Sequence, residues 1–257
     1  MLDVEVARFG GPEVLAPRDL RDPTPGPGQV TVAASASDVL FVDTLIRAGR
    51  ARDYFPIRPP YVPGNGVGGE VVAVGEGVDP GWFGRQVVAH TGGPGGTGGY
   101  AERATADLES VAAVPEGVGL LTATAVLHDG TTALRILEQV DTRPWAVLDG
   151  VGGRLGAEAF RLLAEGGWFS AQGSAGGSFA AFEPEAARHR GIAVTTIADL
   201  RHGPDDRPRL LRAALDEVHR GRLRPYVGQT FPLAEASKAH QALEARETVA
   251  KTLLLSA

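Results

Sequence analysis

The chain has 257 residues, of which 35 are Gly and 18 Pro, with 43% hydrophobic and 22% charged; it is rich in turn formers yet able to bury one large core or two modest ones. Its formal charge is -6, all but two of its 25 cations are arginine, and no basic run occurs, which argues against a nucleic-acid partner. Cysteine is absent, excluding disulfides, thiolate nucleophiles and cysteine zinc sites, and no apolar run nears the roughly 18 residues of a membrane span.

The opening MLDVEVARFGG carries acids and lacks the basic and apolar regions of a signal peptide, so a cytoplasmic location is expected. Two short β-branched runs, at 2–9 and 29–36, flank the turn RDPTPGPGQ. A loop-like stretch over 50–69 precedes a strand at 69–74, the turn GEGVDPG and a strand at 85–90. TGGPGGTGG at 91–99 predicts an exposed loop. Strands at this spacing without intervening helices predict a small barrel or sandwich.

The period then changes. Residues 120–140 keep apolar side chains at helical spacing, with a break at Asp129-Gly130. A buried-strand run at 145–148, a helix at 156–165 and a strand at 168–171 alternate as in a parallel α/β unit. Amphipathic helices at 208–220 and 233–246 and a strand at 251–255 complete the chain.

Three motifs carry chemistry. AVLDGVGGRLGAEAF sets Gly150, Gly152 and Gly153 between a strand and a helix, where backbone amides can approach a pyrophosphate. Its spacing departs from G-x-G-x-x-G, and a tight strand-to-helix turn is the preferred reading. SAGGS, with Ser174 and Gly176, could also cradle an anion. His128-Asp129 interrupts the apolar stretch TATAVLHDGTTAL beside Thr131 and Thr132, so His128 is either a general acid/base or a satisfied buried histidine. His219 and His240 fall in amphipathic helices and are expected to be solvated. No two histidines have i, i+4 ligand spacing, so no metal is expected.

ARFGGPEVLAPRDLRDPTPGPGQVTV, VPGNGVGGEVVAVGEGVDPGWFGRQVV and GTGGYAE together resemble the GroES-like domain of the medium-chain dehydrogenase/reductase superfamily, in its zinc-free quinone oxidoreductase and enoyl reductase branch. LHDGTTALRILEQVDTRP, AVLDGVGGRLGAEAFRLLAEGGWFSAQGSAGG and the C-terminal GRLRPYVGQTFPLAEASKAHQALEARETVAKTLLL resemble later parts of the same family. The resemblance implies a mixed α/β fold: a GroES-like β-barrel domain over 1–118, completed by about 223–257, and a Rossmann-like remnant over 119–222. Thr142-Arg143-Pro144 runs directly into Trp145, where the family carries further βαβ steps of roughly 30 residues each. The front half of the dinucleotide-binding sheet is therefore expected to be missing. Asp38 and Asn65 stand where zinc-dependent relatives keep Cys and His.

The implied cleft between lobes is lined by Asp38, Asp43, Tyr54, Tyr61, Asn65, His90 and His128, with Asp129, Thr131 and Thr132 on its substrate side. The leading expectation is an enzyme working without a dinucleotide, and so without any cofactor. It would act on a small apolar carbonyl or enone of polyketide type by isomerisation, elimination or cyclisation. Asp38, Asp43 or His128 would move the proton, and Tyr54 or Asn65 would steady the oxygen. The alternative is an NAD(P)H-dependent quinone or enoyl reductase that uses Gly150, Gly152, Gly153, Ser174 and Gly176 for NADPH. A non-catalytic, small-molecule-binding subunit is the third reading. A homodimer sealing the new sheet edge is expected, with neither nucleic acid nor membrane as partner.

Overall fold

The computed structural model describes residues 1–92, 98–139, 145–200 and 205–256. In chain order the elements are β1 (Leu2–Val6), β2 (Leu15–Asp19), β3 (Gln29–Val39), α1 (Phe41–Arg47), β4 (Gly66–Val74), β5 (Gln86–His90), β6 (Arg103–Asp107) and β7 (Val111–Ala113). Then follow α2 (Leu120–Val126), α3 (Asp129–Gln139), β8 (Ala146–Asp149), α4 (Gly153–Leu162), β9 (Trp168–Ala171), α5 (Pro184–His189) and β10 (Ala193–Thr196). The last four are α6 (Asp206–His219), β11 (Val227–Pro232), α7 (Ala236–Glu244) and β12 (Lys251–Leu255). Most of the glycine loop at 91–99 and the Thr142-Arg143-Pro144 junction lie outside the described residues.

The chain divides into two compact units, one of residues 1–131 with 205–257 and one of residues 132–204. The first is built around β3. On one side β3 pairs with β4 over most of its length; on the other it pairs with β6 over Gln29–Ala33 and with β12 over Ala36–Val39. Its sequence QVTVAASASDV is buried on both faces for most of its length, so small and β-branched side chains alternate without a polar face. Val30 and Val32 pack with Val67, Val71, Val87 and Ala89 in one core cluster, each fully buried valine contributing about 1.5–3 kcal/mol. Strand order is β11-β12-β3-β4-β5-β7, and β7 does not return to β11. The sheet expected to form a barrel is therefore not closed among the described residues.

The second unit is a three-stranded parallel sheet in the order β10-β9-β8. On one face Phe169 meets Phe160 of α4, with Leu163, Ala187 and Ile192 around them. On the other, Trp168 packs with Ile136 of α3. Three strands are half of the six in a complete dinucleotide-binding sheet. Strand β8 forms one edge, and Trp145 and Leu148 there are 59% and 60% exposed.

Candidate active site

The polar centre of the first unit lies at one end of adjacent strands. Asp38 sits near the end of β3 beside Leu253 of β12, Gly66 opens β4 opposite His90 at the end of β5, and Lys251 opens β12. His128 follows α2, immediately before α3. Gly66 makes the room: a Cβ there would lie 2.4 Å from Leu127, 2.5 Å from Asp38 Oδ1 and 2.9 Å from the His128 ring.

Asp38 is fully buried and accepts a 2.6 Å hydrogen bond from His128 Nδ1. The Lys251 ammonium lies 3.3 Å from the same carboxylate oxygen and 3.2 Å from Asp129. Burial pushes the Asp38 carboxyl up, yet the charges of His128 and Lys251 outweigh it and hold Asp38 well below the usual range. Burial lowers Lys251, and the Asp38 and Asp129 carboxylates more than restore it, raising it overall. An ionised Asp38 only accepts, so the proton on His128 resides at Nδ1. His128 Nε2 then faces His90 Nδ1 at 3.2 Å, the rings edge to face. One proton between these two nitrogens gives either of two satisfied arrangements, a geometry able to serve as a proton relay.

A second cluster adjoins it. The Asp43 carboxylate accepts from the Leu40 amide at 2.9 Å, closing the start of α1, and from the Tyr100 hydroxyl at 3.3 Å. His240 Nε2 lies 2.9 Å from that hydroxyl. Burial, reinforced by the Asp38 charge, pushes Asp43 up to about 6 against the Leu40 hydrogen bond. Burial and the Arg47 charge pull His240 down to about 3, so its ring is neutral; with the Tyr100 hydrogen given to Asp43, His240 Nε2–H donates to the Tyr100 oxygen.

In the second unit, the turn after β8 is closed upon itself. The amides of Val151 and Gly152 both donate to Asp149 Oδ1, at 3.0 and 2.8 Å, and the Gly153 amide donates to the Ser178 carbonyl. Gly152 has φ +70, and a Cβ there would meet the Ser178 and Gly173 carbonyl oxygens at 2.2 and 2.4 Å. These glycines bring two loops into backbone contact, and a carboxylate already holds the amides that an anion would need. Gly176 donates to Val151 O and Gly177 to Ser174 O.

Of the residues singled out in the sequence, Asp38, Asp43, His90 and His128 converge, and Asp129 joins through Lys251. Tyr61 is half-buried, and burial together with the Asp43 charge raises its hydroxyl. Tyr54 is 72% exposed in a turn. Asn65 offers its backbone carbonyl to Thr91. The Thr131 hydroxyl turns back onto the Leu127 and His128 carbonyls, and Thr132 begins the second unit. His240 is fully buried rather than solvated: α7 packs its apolar face, including Ala236 and Ala239, into the core around Tyr100, and the ring goes with it. Sequence reasoning does not single out Lys251, Tyr100 or His240 as site residues. Lys251 had a signal, a lone cation opening the otherwise apolar strand KTLLL.

Comparison with known proteins assigns the chain. Residues 121–254 match the family described as zinc-binding dehydrogenase and residues 26–116 the alcohol dehydrogenase GroES-like domain. The zinc that this description implies does not suit the residues present, since the Lys251 ammonium already neutralises Asp38 where a dication would lie. A quinone oxidoreductase of Pseudomonas aeruginosa is 27% identical, with 98% of each chain covered. That alignment spans 331 positions, more than the 257 residues of this chain, so the relative carries residues that this chain lacks. A mycobacterial structure complexed with NADPH has TM-score 0.81 at 26% identity, covering 99% of this chain and 100% of the other. The Escherichia coli quinone oxidoreductase complexed with NADPH has TM-score 0.85 at 19% identity, covering 99% and 100%, and so shares the fold.

These findings overturn two expectations from the sequence. The expected reaction without a dinucleotide, by isomerisation, elimination or cyclisation, is corrected by the match of a quinone oxidoreductase over 98% of the chain. The expected absence of a cofactor is corrected likewise, because relatives of this fold are NADPH complexes. The shortened sheet pointed to a lost cofactor, but shortening alone does not remove the carboxyl ends of the remaining parallel strands, where ligands of such sheets bind. No helix among the described residues is long and apolar enough to cross a membrane. The chain belongs to the zinc-binding dehydrogenase family of the medium-chain dehydrogenase/reductase superfamily, with quinone oxidoreductases among its homologues.

Proposed function

We propose that this protein is an NADPH-dependent reductase of quinones or similar apolar conjugated carbonyls. The end-to-end likeness to the Pseudomonas quinone oxidoreductase carries this reading. NADPH, when bound, supplies the hydride. The loops after β8 and β9 suit its nicotinamide end: a Cβ at Gly150 or Gly177 would meet nothing within 4 Å, so bare backbone faces open space there. Gly150 and the Ser174–Gly177 turn would face it through bare backbone, since the amides of Val151, Gly152, Gly153, Gly176 and Gly177 are all committed within the protein.

Reduction of a quinone carbonyl to a hydroxyl also requires a proton, and the first unit contains the means to move one. Asp38 fixes the His128 tautomer, Lys251 keeps Asp38 ionised, and His128 and His90 share the proton that is passed on. Two experiments test the reading. NADPH, NADH and NADP should each be added to the full chain in a thermal unfolding series, with NADPH expected to raise the midpoint. NADPH oxidation should then follow on addition of a benzoquinone or naphthoquinone. No shift and no oxidation with either quinone would remove the proposal.

A further inference from the structure

A cavity of about 460 Å³ opens in the first unit, apart from the polar centre around Asp38, between the Gly10-Gly11 turn, α1 and the end of α7. Its walls combine Phe41, Leu45 and Ala48 with Arg47, Arg50 and Arg246, opposed by the single acid Glu244. In a chain of net charge -6, this lining is locally cationic. Arg47 is 1% exposed, and one of its terminal nitrogens pairs with Glu244. Its Nε and Nη1 are buried with no acceptor among the described residues. A guanidinium remains charged at any working pH and carries five donors in a fixed fork. Buried donors of this kind normally find partners, so a cavity-lining arginine with two of them orphaned points to an acceptor that the protein itself does not provide.

We propose that this cavity is a binding site for a small organic carboxylate. Its oxygens would take the unpartnered hydrogens of Arg47 and the charge of Arg50, and its apolar body would lie against Phe41 and Leu45. A carboxylate oxygen that accepts from a guanidinium makes a charge-assisted hydrogen bond, stronger than one between neutral groups.

Isothermal titration of the full chain with benzoate tests this, alongside benzyl alcohol and inorganic phosphate. Saturable benzoate binding is expected, with no binding of the neutral alcohol. Arg50→Gln, on the exposed rim, should weaken benzoate by about tenfold, and Arg47→Gln should abolish binding. Because Arg47→Gln removes a buried ion pair and can unfold the protein, Ala48→Phe provides a second route: it fills the cavity with every charge kept, and should also abolish binding. Absence of saturable benzoate binding in the unsubstituted protein would overturn the proposal. So would equal affinity in Arg50→Gln and Ala48→Phe, or phosphate binding as tight as benzoate, which would show that the apolar wall takes no part.

Discussion

At the scale of single residues, two buried aspartates only a few positions apart are driven in opposite directions. Asp38 meets a ring N–H donor on one side, His128, and an ammonium on the other, Lys251, and stays ionised. Asp43 faces a hydroxyl, one amide and the Asp38 charge, and is raised to about 6. The folded state therefore holds the Asp43 proton more tightly than the unfolded chain does. The stability this contributes is complete below the ordinary carboxylate value of 3.8 and is lost as pH rises through about 6. Asp43→Asn should remove that slope, flattening unfolding free energy between pH 4 and 7 by about 2–3 kcal/mol relative to the parent. Urea unfolding at several pH values measures it, and identical slopes in both proteins would refute the assignment. Asp38 has the opposite sign, contributing stability above pH 3.8 that is lost only in stronger acid.

The relay makes a kinetic prediction of its own. Asp38→Asn replaces an obligate acceptor by an amide that can present a donor to His128 Nδ1, so the ring loses its fixed tautomer. Turnover of quinone with NADPH should fall by about 10²-fold while NADPH affinity is unchanged. Steady-state rates and a nucleotide titration on the same preparation separate the two effects. The sequence marks His128 because a titratable group stands alone in an apolar run, and marks Asp38 and Asp43 through the family likeness. Nothing local links Tyr100 to His240, whose contact spans 140 positions, nor shows that α7 turns its histidine inward.

Among the elements, long or strongly patterned segments are legible in the sequence and short ones are not. Strands β9 and β12 fall where their apolar runs predict, at Trp168–Ala171 and Lys251–Leu255. The break expected at Asp129-Gly130 falls two residues earlier, at Leu127-His128, and Asp129 and Gly130 instead open α3. Helix α1 has only seven residues, too few for a periodicity to stand out, and it depends on the Asp43 carboxylate reaching back to Leu40. Strands β2, β6 and β7 are short and owe their form to partners distant in sequence. The glycine turn after β8 has the composition of either a plain turn or a phosphate loop, and only the Asp149 contacts distinguish the two.

That turn gives a paired prediction. Gly152→Ala would force a Cβ into two carbonyl oxygens at a positive φ, whereas Gly150→Ala meets open space. The first should destabilise the second unit by about 1–3 kcal/mol, and the second should leave stability within about 0.5 kcal/mol of the parent. Under the proposed function, Gly150→Ala should instead weaken NADPH, because it places a methyl group where bare backbone would meet the cofactor. Chemical unfolding and nucleotide titration of the two variants decide the matter. Equal stability losses would show that the two loops are not in backbone contact at Gly152.

For the molecule as a whole, the consequence of a short parallel sheet is uneven protection. Strand β9 is hydrogen-bonded on both sides, β8 and β10 on one, and β8 leaves Trp145 and Leu148 at its edge. Amides of β9 should therefore exchange with solvent most slowly in this unit, and the β8 amides that point away from β9 should exchange quickly. Addition of NADPH should slow exchange in the turn at 173–177, which lies beyond the carboxyl end of β9, and leave the outer edge of β8 unchanged. Hydrogen exchange followed by mass spectrometry, with and without NADPH, reads all three segments in one experiment. Uniform protection of β8 and β9 without nucleotide would mean that the edge is covered in solution, and sedimentation would then show whether a second copy covers it. Protection appearing at β8 but not at 173–177 on adding NADPH would place the nucleotide elsewhere, and the loops at the strand ends would then have no part in holding it.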